Sequence, residues 1–305
     1  MAEEKTALQQ RIESGKPILL AEISPPSGSD PAPLLETAKR FASKVHALAI
    51  DDNRDRVRMS ALAAALLVAA EGIEPIMHVV TRDRNRIALI SDCLGARALG
   101  IRNLLCTSGT HQTLGRFHKA RNVFDVDSIQ LLQAYTTLGS NASLVGEESL
   151  DGASNLCLGA VATPYADPME MQVTRLAKKV AAGARFLITQ SVFDVERFDA
   201  WLVEVTKRGI HEKVALIAGI RPLTTAEDAK ALAEKRPAAT IPQPLIERLE
   251  SAGGEDAQRA EGLKIAVETI RRLSTADGLR GFQICVDRDA DAALQVIESS
   301  GLGTE

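Results

Sequence analysis

Residues 168–222 read PMEMQVTRLAKKVAAGARFLITQSVFDVERFDAWLVEVTKRGIHEKVALIAGIRP. Within them the apolar residues change period three times. An amphipathic stretch over 168–182 leads into a short apolar run, Phe186–Thr189, and the pattern then repeats with 194–208 and Val214–Ala218. A long amphipathic stretch between two short apolar runs predicts a crossover helix returning the chain to a parallel sheet.

The same alternation extends in both directions. Strands are predicted at Ile18–Ile23, Val45–Ile50, Pro75–Val80, Asn103–Cys106, Leu156–Val161 and Gly281–Val286, in addition to the two above. Helices are predicted near 31–43, 59–71, 84–99, 127–139, 224–235, 256–274 and 289–300. Eight strands, each followed by a helix, predict an α/β chain folded as a (β/α)8 TIM barrel, with 1–305 as one domain. Pro237, Pro242, Pro244 and Gly253-Gly254 interrupt the rhythm, which predicts a loop and an extra helix between strands 7 and 8. A doubly wound open sheet would alternate in the same way. Its phosphate-binding glycines are missing, however: the first strand runs into Glu22-Ile23-Ser24-Pro25-Pro26, and no G-x-x-x-x-G-K-[ST] occurs.

Composition narrows the partners. The 305 residues carry 36 Lys+Arg against 40 Asp+Glu, a net charge of −4, without the basic surplus of a phosphate-backbone binder, so no nucleic acid is expected. One Trp, two Tyr and seven Phe make a poor base-stacking platform and leave the core to aliphatic residues. MAEEKTALQQ lacks the pattern of a secretory signal, and the longest apolar run, Ala61 to Ala70, is about half a membrane span. The expectation is a cytoplasmic protein with no membrane partner. Cys93, Cys106, Cys157 and Cys285 stand apart, with no C-x-x-C pair and no His at ligand spacing, so no metal site is expected and the thiols are read as buried.

A barrel gathers the residues after its strands on one face. Glu22 closes the first strand, Asp51 and Asp52 the second, and His78 lies on the third. The fourth runs into Thr107-Ser108-Gly109-Thr110-His111, the fifth into Thr163 and Tyr165, the sixth into Gln190, and the seventh into Gly219-Ile220-Arg221-Pro222. Glu22 has apolar neighbours, so it is either a desolvated general acid or a strand-end carboxylate turned to water. Pro25-Pro26 would stiffen its exit from the strand. His78 is either a core histidine or a site residue. Thr81-Arg82-Asp83-Arg84-Asn85-Arg86 reads as a helix start with Asp83 as N-cap, or as an anion-contacting loop. The hydroxyls and backbone donors of 107–110 suit a phosphate or a heterocycle edge.

Taken in order, these pieces resemble the methylenetetrahydrofolate reductase family of flavin-containing (β/α)8 barrels. The resemblance spans nearly the whole chain. It rests on Ala21-Glu22-Ile23-Ser24-Pro25-Pro26, on His78 with Thr81-Arg82-Asp83-Arg84-Asn85, and on Ala98-Leu99-Gly100-Ile101-Arg102-Asn103. Val123-Phe124-Asp125-Val126-Asp127-Ser128, Ala182–Gln190 with Phe193-Asp194-Val195-Glu196, and Ala218-Gly219-Ile220-Arg221-Pro222 complete it.

The resemblance implies reduction of 5,10-methylenetetrahydrofolate to 5-methyltetrahydrofolate by hydride from FAD, itself reduced by NADH or NADPH. Glu22 would protonate the folate N10, and Gln190, Thr110 and Arg221 would bind the tetrahydrofolate derivative. His78, Ser108, Gly109, Thr163, Lys178 and Lys179 would hold the flavin. The chain departs from the pattern at Thr110, where the family's Gly-Asp has its aspartate; at Ser108, where Arg or Thr is common; and at Thr163-Pro164, where some members have His-Pro. Thr110 brings no negative charge to tune a flavin. Flavin binding is therefore left open, as are two alternatives: flavin-free folate-dependent methyl transfer on the same barrel, and a reductase subunit fed by a partner protein. A homo-oligomer and the choice of nicotinamide are open too.

Overall fold

The computed structural model describes residues 5–138, 156–235, 241–286 and 289–303. Helix α1 (Ala7–Ser14) precedes β1 (Ile18–Ile23). There follow α2 (Ala32–Phe41), β2 (Ala47–Ile50), α3 (Ala61–Ala70), β3 (Pro75–Val80), α4 (Arg86–Ala98) and β4 (Asn103–Thr107). The chain continues through α5 (Ser128–Thr137), β5 (Cys157–Ala162), α6 (Met169–Ala181), β6 (Phe186–Ser191), α7 (Val195–Lys207) and β7 (Ala215–Ile220). It ends with α8 (Ala226–Lys235), α9 (Gln243–Ser251), α10 (Glu255–Leu273), β8 (Gly281–Cys285) and α11 (Ala290–Ser300). The strands close into a parallel barrel in sequence order, with Ile18 on β1 registered against Gly281 on β8. The (β/α)8 expectation is met.

The strands are apolar throughout because each is covered on both faces, by helices outside and by the barrel filling inside. Alternate residues point inward: Ile18, Leu20, Ala47, Ala49, Ile76, Leu105, Cys157, Phe186, Ile188, Ala215 and Ile217 form the interior cluster. Gly159 faces the Phe186 ring, where a Cβ would stand 2.3 Å from Cε2, so a large ring on β6 fills the space a side chain on β5 would take. The other parity, with Trp201, Phe198 and Tyr135 from the helices, forms the larger outer core.

Three features position the functional end. First, β6 runs two residues beyond the predicted Thr189, with its register against β7 irregular between Ile188 and Ser191, so Gln190 lies within the strand at a bulge. Second, the extra helix between strands 7 and 8 is α9, packed with α8 and α10 around Phe193, Leu223, Ile246, Leu249 and Ile265. Third, α1 was not foreseen from the sequence. It closes the opposite end of the barrel by inserting Leu8 into the interior cluster. Glu74 accepts from the backbone N–H groups of Ala7 and Leu8 at 2.9 and 2.8 Å, and Thr6 caps the helix while donating to Asn103. Eight residues with one buried leucine carry little periodicity, and the partners that hold them lie far along the chain.

All four cysteines are free and buried. Among the described residues no helix is long and apolar enough to cross a membrane, and no cluster of His, Cys, Asp and Glu could hold a metal ion. Position 139, the end of a predicted helix, and 237–240 of the predicted loop lie outside the described residues.

Candidate active site

One layer above the interior cluster, at the C-terminal ends of the strands, the inward parity turns polar. Glu22 is two residues on from Leu20, Asp51 two on from Ala49, His78 two on from Ile76 and Gln190 two on from Ile188, while Gln283 is the inward residue of β8. Glu22 is buried and accepts two hydrogen bonds: from the Arg54 guanidinium on Oε1 and from Gln283 Nε2 on Oε2 at 3.0 Å. It is therefore a desolvated carboxyl in an ion pair, not a strand-end residue turned to water.

Asp51 is more deeply buried, at 2 % exposure. Ser24 donates to its Oδ2, Arg54 Nε stands 3.9 Å from that oxygen, and Oδ1 is buried with no hydrogen-bond partner. Burial pushes its carboxyl up to about 6, against the pull of the Ser24 hydrogen bond and the Arg58 charge. His78 is also buried, with Nε2 lacking a partner; burial first and the Arg54 charge second push it down to about 3, so it is a neutral imidazole at pH 7.

The next acid and the arginine run are structural ties. Both Asp52 oxygens accept from Arg84, at 2.9 and 2.7 Å, and the Val80 N–H donates to Oδ2 at 3.2 Å. Arg82 is buried and fans out to the carbonyls of Thr110 (2.9 Å) and Asn53 (2.7 Å) and to Asp83. It thus fixes the loop after β4 to the loop after β2. The N-cap of α4 is Asn85, whose Oδ1 accepts from Ala88, not Asp83, which is engaged by Arg82 and Gln112.

Beside this layer, at the ends of β4, β5 and β6, lies a cavity of about 320 Å³. It brings together Thr107 of the polar turn with six residues given site roles from the sequence: Ser108, Gly109, Thr110, Thr163, Lys179 and Gln190. Gln190 contributes a buried Oε1 with no hydrogen-bond partner. Gly109 adopts φ +79, and a Cβ there would meet Val80 Cγ1 at 2.6 Å, so glycine is required for the turn to approach β3. Lys179 reaches in from α6 and donates to the Val161 carbonyl at 2.6 Å; burial, reinforced by the Arg175 charge, pushes its amine down to about 8.

Other expectations fall elsewhere. Glu22, His78 and Arg221 do not line this cavity, although the first two share the inner layer with Gln190. Lys178 is exposed on the outer side of α6. Asp51 stood in the sequence only as a strand-end acid, Ser128 only as the end of the Val123–Ser128 stretch, and Arg54, Gln283 and Arg175 were not singled out at all. The paired acids leaving an apolar strand were the one available signal for Asp51; the others depend on which loops and helices meet.

A sequence profile of the methylenetetrahydrofolate reductase family matches residues 7–301. A probable methylenetetrahydrofolate reductase (NADPH) of Caenorhabditis elegans is 26% identical over 82% of this chain and 36% of its own length. Methylenetetrahydrofolate reductase 2 of Saccharomyces cerevisiae is 26% identical over 95% of this chain and 48% of its own. The chain thus spans half or less of the length of these relatives. Among solved structures, an uncharacterized protein from Clostridium thermocellum that binds two copies of 5-methyl-5,6,7,8-tetrahydrofolic acid has a similar fold, with a TM-score of 0.68 at 13% identity over 96% of this chain and 97% of that one. With the profile running nearly end to end over the closed barrel, the chain belongs to the methylenetetrahydrofolate reductase family.

Proposed function

We propose that this chain reduces 5,10-methylenetetrahydrofolate to 5-methyltetrahydrofolate. The observation that carries this reading is the polar inner layer, in which a buried carboxyl on β1, Glu22, faces the same barrel mouth as the unpartnered carboxamide oxygen of Gln190 on β6. The pterin of a folate offers ring N–H and amino donors to such an oxygen, and the folate's N10, beyond the pterin, needs a proton. Glu22 delivers that proton, which requires the Arg54 ion pair to open as substrate enters. Opening the five-membered ring leaves an electrophilic N5 iminium at the methylene carbon.

The residues present fit FAD. The hydroxyls of Ser108, Thr110 and Ser128, with Lys179 and with Arg175, which stands 3.9 Å from the Asp127 carboxylate that caps α5, would make a polar, cationic wall for a pyrophosphate, and Gln190 lies among the same lining residues. When bound, FAD reduced by NADH or NADPH supplies the hydride. Thr110 offers a hydroxyl where a carboxylate would repel the added charge of a reduced flavin, so the site favours reduction more than an aspartate would.

The test is an anaerobic titration of the purified protein with NADH or NADPH and then with 5,10-methylenetetrahydrofolate. Flavin absorbance that bleaches with the nicotinamide and returns with the folate supports the reading. A yellow protein that neither nicotinamide reduces points to electrons from a partner. A colourless protein that retains 5-methyltetrahydrofolate overturns the reductase in favour of methyl transfer.

A further inference from the structure

Glu22 is assigned to give a proton, yet it sits in an ion pair with Arg54. The proton must come from somewhere near. We propose that Asp51 stores the proton that Glu22 delivers: the two carboxyls share one proton and one guanidinium, with the proton on Asp51 while Arg54 holds Glu22. This rests on the folate-reductase reading and extends it to a second residue.

The charges around the pair support the assignment. On the loop after β2, Arg58 stands 3.6 Å from Asp55, donates to the Pro25 carbonyl at 2.8 Å, and keeps a buried Nε without a partner. Asp52 is neutralised by Arg84 from the segment after β3. His78 on β3 is neutral at pH 7. From the β1 side come Ser24, a hydroxyl, and Glu22 itself. Arg54 is therefore the cation in contact with both carboxyls, donating to Glu22 Oε1 and lying 3.9 Å from Asp51 Oδ2. Glu22 and Asp51 have that one guanidinium as their shared ion-pair partner, while the Arg58 charge that also acts on Asp51 is opposed by Asp55, 3.6 Å from Arg58; a proton on the pair removes the remaining repulsion. The unpartnered Oδ1 of Asp51 is the atom where that proton meets no competing donor. Burial pushing Asp51 up to about 6 agrees with this placement.

The exchange conserves charge. Asp51 gives its proton to the Glu22 carboxylate while the Arg54 guanidinium turns from Glu22 to Asp51. Glu22, now neutral, protonates the folate N10, and the electron pair of the breaking carbon–N10 bond stays on that nitrogen. The site's net charge changes only when the proton leaves for substrate. On this proposal the two groups titrate as a coupled pair, so their apparent titration steps belong to the pair.

Difference infrared spectroscopy of the folate-free protein across a pH series tests the shared proton directly. The wild type is expected to show one buried protonated carboxyl titrating near pH 6. Asp51→Asn should abolish the band. Glu22→Gln should keep it but move its titration to lower pH, since Arg54 then has Asp51 as its carboxylate partner. A wild type without the band, a band that survives in Asp51→Asn, or one unmoved in Glu22→Gln overturns the proposal. Kinetics test delivery: Asp51→Asn should lower kcat by about tenfold or more with little change in KM, and remove the wild-type decline as pH rises through about 6. If wild type turns over and Asp51→Asn matches it at every pH, the reservoir is wrong while the reductase reading stands. If wild type binds and turns over no folate, the reductase reading and the delivery step fall together, although the shared proton itself survives on the infrared result.

Discussion

At the scale of single residues, function and stability pull against each other in the inner layer. Glu22→Gln keeps the planar shape and size of the side chain but removes the transferable proton. Methylenetetrahydrofolate turnover should fall roughly 10²–10⁴-fold while circular dichroism and the thermal transition stay close to wild type. His78 makes a separate, thermodynamic prediction. Its folded-state value near 3 lies below the ordinary 6.5, so between those limits the unfolded chain binds a proton that the folded chain refuses. Its contribution to stability is present above pH 6.5 and is lost as pH falls toward 3. Asp51, raised from 3.8 to about 6, acts in the opposite sense: the folded chain keeps a proton the unfolded chain releases, so its term weakens the fold as pH rises from about 4 to 6. Urea midpoints across pH 4–7.5 should therefore show His78→Gln losing acid sensitivity relative to wild type. A variant curve parallel to wild type would show that the histidine does not titrate as its burial implies.

At the scale of elements, the cavity depends on one helix and one turn. Helix α6 buries Lys179 against β5, and its amine, pushed down to about 8, carries a charge at pH 7 that it loses as pH rises through that value. FAD affinity at the proposed site should fall over the same range. Lys179→Met keeps the aliphatic stem and removes the charge, and should weaken FAD about 10-fold or more and flatten that pH dependence, as measured by flavin fluorescence. The turn after β4 requires Gly109 for its left-handed backbone and its approach to Val80. Gly109→Ala should cost about 1–3 kcal/mol in chemical denaturation, the Cβ clash adding to the backbone strain.

At the scale of the whole molecule, the two ends of the barrel have different duties. The end bearing Glu22, Asp51 and Gln190 carries unpartnered polar atoms, while the other is sealed by α1, whose Leu8 is fully buried in the interior cluster. Leu8→Ala opens a cavity at the sealed end, far from the polar layer. It should destabilise the fold by about 2–5 kcal/mol and leave the KM for folate unchanged, so a calorimetric scan and a kinetic assay on the same variant separate the two ends.

The sequence alone determined the barrel, because a parallel strand buried on both faces must be apolar along its length, and the intervening helices must carry one apolar stripe. Those two periods are local and can be read without knowing any contact. It also placed Glu22, Gln190, Ser108, Gly109, Thr110 and Thr163 at strand ends, since a barrel delivers every strand end to one rim. Only the tertiary structure decided which of these share a cavity, because inward and outward residues alternate at each strand end and the register of β6 against β7 is irregular around Gln190. Only it paired Arg54 with Glu22 across 32 positions and set Asp51 beside the same guanidinium. It alone turned Arg82 into a buried strut and α1 into a plug. Charge partners of this kind are fixed by where loops meet after the chain has closed, and burial, which decides which carboxyl keeps its proton, is a property of the packed barrel rather than of any stretch of sequence.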